Sequence, residues 1–186
     1  MRVSGRFKRD ALPKILALVV FAVFTIALLK LSGVRINLTD SLPMGIYVTT
    51  SDENAALIEF CPGGASSVLS VGRGYRPHGI CPDTAAPLLK PIIANSGDIV
   101  VVSADGLSVN GNLLLNTAAR QYDSAGRALT AWRLGTYSVP PAMIWVASTY
   151  HPNSFDSRYF GPIPVSLIRH RVRPLWVLRT TPNGLQ

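Results

Sequence analysis

The longest pattern in the chain is an uninterrupted apolar run. From Ile15 to Leu29 there is no charge, and Thr25 is the one polar side chain. A run with no polar face fits a helix surrounded by hydrocarbon better than one lying on a soluble core. A helix over these residues spans about 22 Å, short of an ~30 Å hydrocarbon layer. Counting from Ala11 to Leu31 reaches the required length if Lys14 and Lys30 snorkel toward the head groups. Arg2, Arg6, Lys8, Arg9 and Lys14 precede or open the run, and the positive-inside rule then puts the N-terminus in the cytoplasm. The chain accordingly divides into a basic cytoplasmic segment, 1–13, a transmembrane anchor, 14–32, and an exported domain, 33–186. A cleaved signal peptide is the rival reading, because the run also has the length of an h-region. Leu28 to Gly33 has no convincing A-x-A-like cleavage site, which favours a retained anchor.

After the anchor the pattern shortens to strands. Ile46–Thr50, Ala56–Phe60, Asp98–Ser103, Tyr137–Val139 and Met143–Ala147 are rich in β-branched and aromatic residues. Leu107–Leu113 reads as a hairpin about Asn110-Gly111. Arg173–Leu178 is expected to close the sheet, and Val165–His170 to form a short helical turn. Most of the 14 Pro and 15 Gly fall between these runs, as turns. Cys61–Leu89 is the loosest stretch, with Gly63-Gly64, Ser66-Ser67, Gly72, Gly74 and Gly79. The domain is therefore expected to be mainly β, with one helix at its N-terminal end.

At 186 residues the chain has room for one domain plus the anchor. Hydrophobic residues at 48% against 15% charged give it a core and exclude disorder. The net charge of +8 is scattered, with no helix-turn-helix, zinc-finger or RNA-binding motif, so no nucleic-acid partner is expected. A C-terminal basic cluster comprises Arg169, Arg171, Arg173 and Arg179, and its first three members, followed by Trp176, fit either anionic lipid head groups or a solvated strand edge. Cys61 and Cys81 each precede a proline. They fit a disulfide in an oxidising compartment, worth ~3 kcal/mol, or two free thiols. Two Cys and three scattered His (His78, His151, His170) show no metal-ligand spacing, and no cofactor is implied.

Lysine usage changes the picture. Beyond residue 31 the chain holds eleven arginines and one lysine, Lys90. Arginine does not shed its proton in a protein, whereas a buried lysine can become neutral and act as a base. Lys90 lies in Pro87-Leu88-Leu89-Lys90-Pro91-Ile92-Ile93, where desolvation would lower its pKa. Ser41 is the candidate nucleophile. Ten residues beyond Leu31, it lies at most about 35 Å from the membrane along an extended chain. Thr39-Asp40-Ser41-Leu42-Pro43-Met44-Gly45 suits a sharp turn into the strand at Ile46.

The segment Asp40-Ser41-Leu42-Pro43-Met44-Gly45-Ile46-Tyr47 resembles the nucleophile box of the type I signal peptidases, the S26 serine peptidases, in the variant of the TraF branch from conjugative transfer. Pro87 to Asp98, ending in Gly97-Asp98, is similar to that family's lysine box. Asn153-Ser154-Phe155-Asp156-Ser157-Arg158-Tyr159-Phe160-Gly161-Pro162-Ile163-Pro164 is similar to its last box. Arg73-Gly74-Tyr75 and Gly79-Ile80-Cys81-Pro82 also resemble this branch. The resemblance implies a coiled β-sheet domain on one transmembrane helix, and a Ser–Lys dyad with Ser41 as nucleophile and Lys90 as base. It further implies that Ser154 orients the lysine, that Asp156 and Arg158 brace the site, and that the Ser41 N–H and the Thr39 hydroxyl form the oxyanion hole. The three histidines are then structural. Departures are Ser41-Leu42-Pro43 in place of Ser-Met-x-Pro, Asn95-Ser96 in place of Leu-Pro before Gly97-Asp98, and Thr149-Tyr150-His151-Pro152 in place of a Gly-Asn/Asp-Asn lead. They favour a specialised processing enzyme.

The expected partners are a pilin precursor or other exported protein, the lipid bilayer and conjugative secretion machinery. The expected reaction is cleavage, with ring closure of the pilin as the variant the resemblance brings. A general signal peptidase, and a non-catalytic anchored assembly factor, are the alternatives.

Overall fold

The computed structural model describes residues 6–31 and 33–178. Arg2, Ser32 at the end of the expected anchor, and Arg179 lie outside these residues. Two compact units divide the chain, Met1–Arg35 and Ile36–Gln186.

The first unit contains α1 (Arg6–Leu31), 26 residues long. Over residues 11–25, where its side chains are described, the large apolar groups are exposed, among them Leu12, Ile15, Leu18, Phe21 and Phe24. The Thr25 hydroxyl donates to the Phe21 carbonyl at 2.8 Å, so the polar group of the run is satisfied within its own helix. Among the described residues no helix is long and apolar enough to cross a membrane. The stretch 11–25 covers about 22 Å of an ~30 Å hydrocarbon core.

The second unit is built mainly from two sheets. The larger has the order β1-β2-β11-β3-β4-β9-β10. Its strands are β1 (Val34–Asn37), β2 (Gly45–Thr50), β3 (Leu57–Phe60), β4 (Leu88–Ala94), β9 (Met143–Val146), β10 (Ile163–Pro164) and β11 (Ile168–Val177). The smaller has the order β7-β6-β5-β8, from β5 (Ile99–Ser103), β6 (Gly106–Val109), β7 (Asn112–Leu113) and β8 (Gly135–Ser138). Two short helices complete it, α2 (Gly64–Gly72) and α3 (Ser157–Phe160).

β9 explains how the core is organised. Side chains alternate across a strand, and β9 buries both of its faces. Ile144 and Val146 pack with Ile58, Phe60 and Ile163. Trp145, with Ala147 just beyond the strand, packs with Ala94, Val100, Val102, Leu107 and Val139. One strand thus serves two apolar clusters, and its apolar run has no polar alternation for that reason.

The hairpin turn at Asn110-Gly111 has both residues at positive φ, 49° and 84°, as a two-residue turn of this type requires. Several boundaries differ from the expectation. The closing strand is β11, which begins at Ile168, so the helical turn is limited to Val165–Leu167 and His170 is in a strand. The stretch from Cys61 to Leu89 is not one loop. It contains α2 and ends in β4. β4 escapes a propensity reading because Pro91 lies inside it. Pro91 has no N–H to give, but its carbonyl accepts the Ala147 N–H at 3.1 Å.

Cys61 and Cys81 form a disulfide across a sequence separation of 20. Within that span Arg76 is buried and ion-paired to Asp83 just beyond it, and donates to Ser70 Oγ at 3.0 Å and to the Ala86 carbonyl at 3.1 Å. The staple therefore closes a segment that has only a small apolar core of its own; Ser70 is the buried residue of α2. Replacing both cysteines by alanine is expected to lower stability by ~3 kcal/mol, the chain-entropy value for a loop of this size. Thermal melting of the full chain checks this. Reductant should shift the wild type by the same amount and leave the double variant unmoved.

Candidate active site

Three segments converge. The first is the turn from β1 to β2, which carries Ser41. Asn37, at the end of β1 and 7% exposed, organises it. The Asn37 Oδ1 accepts the Thr39 N–H at 3.2 Å and the Thr39 hydroxyl at 2.7 Å. Its Nδ2 donates to the carbonyls of Thr39 (3.1 Å), Leu42 (3.1 Å) and Pro43 (3.2 Å). Because Oδ1 takes a backbone N–H and Nδ2 faces carbonyls, the amide has one consistent orientation. The Tyr47 hydroxyl adds a bond to the Pro43 carbonyl at 2.7 Å. Burial, and then the nearby Tyr150, raise the Tyr47 pKa, so its phenol stays a neutral donor. Gly45 ends the turn. A Cβ there would meet the Trp176 carbonyl oxygen at 2.3 Å, so the close approach of β11 to β2 demands glycine.

The second segment is β4. Lys90 faces inward, 3% exposed, and its Nζ donates to Ser154 Oγ at 2.8 Å. Its pKa falls from the ordinary 10.5 to about 8. Burial is the main cause. Asp156 opposes the fall, and Arg158 adds to it.

The third segment runs from Ser148 through α3. Asp156 caps α3, accepting the Arg158 N–H at 3.3 Å. Its carboxylate takes Arg158 Nε at 2.7 Å and Nη2 at 3.0 Å, and both side chains are buried. Arg158 Nη1 donates to the carbonyls of Asn116 (2.8 Å) and Pro152 (3.1 Å), and Nη2 also to that of Ser148 (2.8 Å). Gly161 follows at φ 71°, where a Cβ would meet the Trp132 ring at 2.6 Å.

The segments are joined at Ser148. Its hydroxyl donates to the Ser41 carbonyl, and its N–H donates to Asp156 Oδ2 at 3.0 Å. Ser41 Oγ lies 3.3 Å from Thr39 Oγ1. Since the Thr39 proton goes to Asn37, Ser41 is the donor in that contact. No hydrogen bond joins Ser41 Oγ to Lys90 Nζ; the lysine is bonded to Ser154. Of the three histidines, His151 Nδ1 accepts the Asn153 N–H at 3.1 Å, His170 lies 3.8 Å from Glu59, and His78 forms a bridge with Ala85. A hollow of about 450 Å³ beside Cys61, Pro82 and residues 166–170 includes none of the site residues.

The arrangement offers a hydroxyl on a fixed turn and a desolvated amine on a rigid strand. Sequence reasoning did not single out Asn37 or Ser148. Asn37-Leu38-Thr39 carries a readable signal, since an asparagine that accepts the N–H two residues on is an Asx turn. Ser148 gives none, because it simply follows the apolar strand Met143–Val146 and Ala147.

The family model described as signal peptidase, peptidase S26, matches residues 9–176. The plasmid transfer protein TraF of Escherichia coli is 36% identical over 147 residues, which cover 77% of this chain and 83% of that protein. The conjugal transfer protein TraF of Agrobacterium fabrum is 32% identical over 151 residues, covering 78% and 84%. A probable conjugal transfer protein TraF of Sinorhizobium fredii is 36% identical over 150 residues, covering 78% of each. With a family match over nearly its whole length and relatives of this similarity along most of both chains, the protein belongs to the S26 signal peptidases, a family of serine peptidases, and within it to the TraF conjugal-transfer proteins.

Proposed function

We propose that this chain is a membrane-anchored Ser–Lys peptidase that processes a conjugative pilin precursor at the outer face of the bacterial inner membrane. The observation that carries the reading is Lys90, a buried amine with its pKa near 8, hydrogen-bonded to Ser154 beside a closed ion pair. A lysine in that state is a base at moderately alkaline pH. The apolar α1, its polar group satisfied internally, supports the anchor. The names of its relatives, plasmid and conjugal transfer proteins, support the conjugative setting.

In the proposed reaction the Ser41 hydroxyl turns from Thr39 toward Lys90. Neutral Lys90 takes its proton as Oγ adds to the scissile carbonyl. The oxyanion is met by the Ser41 N–H and by the Thr39 hydroxyl, which must leave Asn37 to reach it. Such donors contribute ~3 kcal/mol each. Lys90 then passes the proton to the departing amine nitrogen, and the carbon–nitrogen bond breaks to leave an ester on Ser41. Water resolves the ester in hydrolysis. The pilin's own N-terminal amine, held beside the ester, resolves it in ring closure, at an advantage set by its effective molarity.

Co-expression with a pilin precursor, followed by the intact mass of the product, tests the reading. Wild type should yield a processed pilin, while Ser41→Ala and Lys90→Ala should yield none. A product one water lighter than the linear peptide identifies ring closure, and a linear product identifies hydrolysis. Processing that survives both substitutions overturns the dyad and favours an assembly factor.

The lowered lysine pKa gives two further outcomes. The rate of processing should rise with pH to a plateau, with a midpoint near 8. Stability should show the same group. The folded chain binds this proton less tightly than the unfolded chain, so Lys90 opposes folding below pH 8. That opposition fades between pH 8 and the ordinary lysine value of 10.5. Lys90→Met should therefore stabilise the chain at pH 7, by ~3 kcal/mol on the linkage scale. The gain should shrink as the pH approaches 10, as denaturant melts at the two pH values will read.

A further inference from the structure

We propose that Ser148 is a positioning residue for the nucleophile, its hydroxyl transmitting the placement of the buried Asp156–Arg158 pair to the Ser41 peptide. The inference rests on the reading of Ser41 as nucleophile.

Every polar atom of Ser148 is engaged, and the residue is fully buried. Its N–H is given to Asp156 Oδ2 at 3.0 Å, and its carbonyl receives Arg158 Nη2 at 2.8 Å. Two opposite backbone groups of one residue are thus clamped by the two members of one ion pair. The hydroxyl then has a fixed origin. It accepts the Tyr150 N–H at 3.0 Å and donates its single proton to the Ser41 carbonyl, across 107 positions of sequence. A hydroxyl with its proton and a lone pair both engaged has no free rotamer to drift into.

The Ser41 carbonyl is not among those the Asn37 amide reaches. Asn37 holds the carbonyls of Thr39, Leu42 and Pro43. Without Ser148 the peptide between Ser41 and Leu42 has no side-chain tether, although the residues around it do. That peptide sets the Ser41 ψ angle, and with it the direction of the attack. The segment that includes Ser148 also includes Ser154, which holds Lys90. Nucleophile and base are then registered to one frame from opposite sides, and loss of either tether would misalign them by a fraction of an ångström. The alternative, a buried serine that merely satisfies a stray carbonyl, gives stability and leaves the chemistry alone.

The test uses the full chain in detergent micelles with the pilin precursor as substrate. Wild type, Ser41→Ala, Ser148→Ala and Ser148→Thr are compared. Ser148→Ala is expected to lower kcat about 10- to 100-fold, the scale of a small misplacement of reacting groups. KM should stay within about twofold, because ground-state binding is untouched. The pH midpoint should stay at the wild-type value, because the surroundings of Lys90 are intact. Ser148→Thr, which keeps the hydroxyl, should recover most of the rate. If a variant folds incompletely, kcat is taken per folded molecule, counted from tryptophan fluorescence. Ser148→Ala at wild-type kcat per folded molecule overturns the inference. Ser41→Ala with full activity instead overturns the reading of the nucleophile on which it stands.

Discussion

The site depends on the ion pair between Asp156 and Arg158. Both side chains are shut away from solvent, where separate charges would cost several kcal/mol each. The cost is met by complete hydrogen bonding. A guanidinium has five N–H groups. Those of Arg158 reach both Asp156 oxygens and the carbonyls of Ser148, Asn116 and Pro152. Ser148 and Pro152 belong to the segment that leads into α3 and Asn116 to a distant loop, so one planar cation sets the relative placement of two parts of the chain. Lysine could not replace it, having three donors on a pivot instead of a rigid fork.

The same pair leaves the state of Lys90 to be set by burial. An isolated buried carboxylate beside the lysine would restore its charge. Here Asp156 pulls the proton on and Arg158 pushes it off, and the pair presents mainly a dipole. Burial is left as the dominant influence, and it favours the neutral amine. A brace that is neutral in sum can thus stand next to a buried amine without restoring its charge. The lysine is also fixed in place, since Ser154 lies in the segment that the pair organises.

Much of this was legible in the sequence, for physical reasons that vary by element. β2, β3, β5 and the β6–β7 hairpin show because β-branched runs and Asn110-Gly111 are local signals. β4 does not, because prolines flank and interrupt it and its pairing is decided by neighbouring strands. α2 was hidden in a stretch of Gly and Ser with poor helix propensity, and it is tied at its ends by the disulfide and the Arg76 cluster. At the site, Lys90 stood out by composition. Ser154, Asp156 and Arg158 stood out through resemblance to a box. Asn37 and Ser148 act through bonds to backbone carbonyls, and residue type alone does not announce that use.

The scarcity of lysine has a practical side. Past Lys30 the chain has one primary amine, and it is buried to 3% exposure on β4. Active esters, aldehydes and other amine-directed crosslinkers mark the surfaces of most proteins at many points. On the folded β unit they would find almost nothing to grip, and would attach chiefly at the N-terminal helix and chain end. Arginine supplies the surface charge without supplying a nucleophile. A label arriving on the β unit would therefore report that the site around Lys90 had opened.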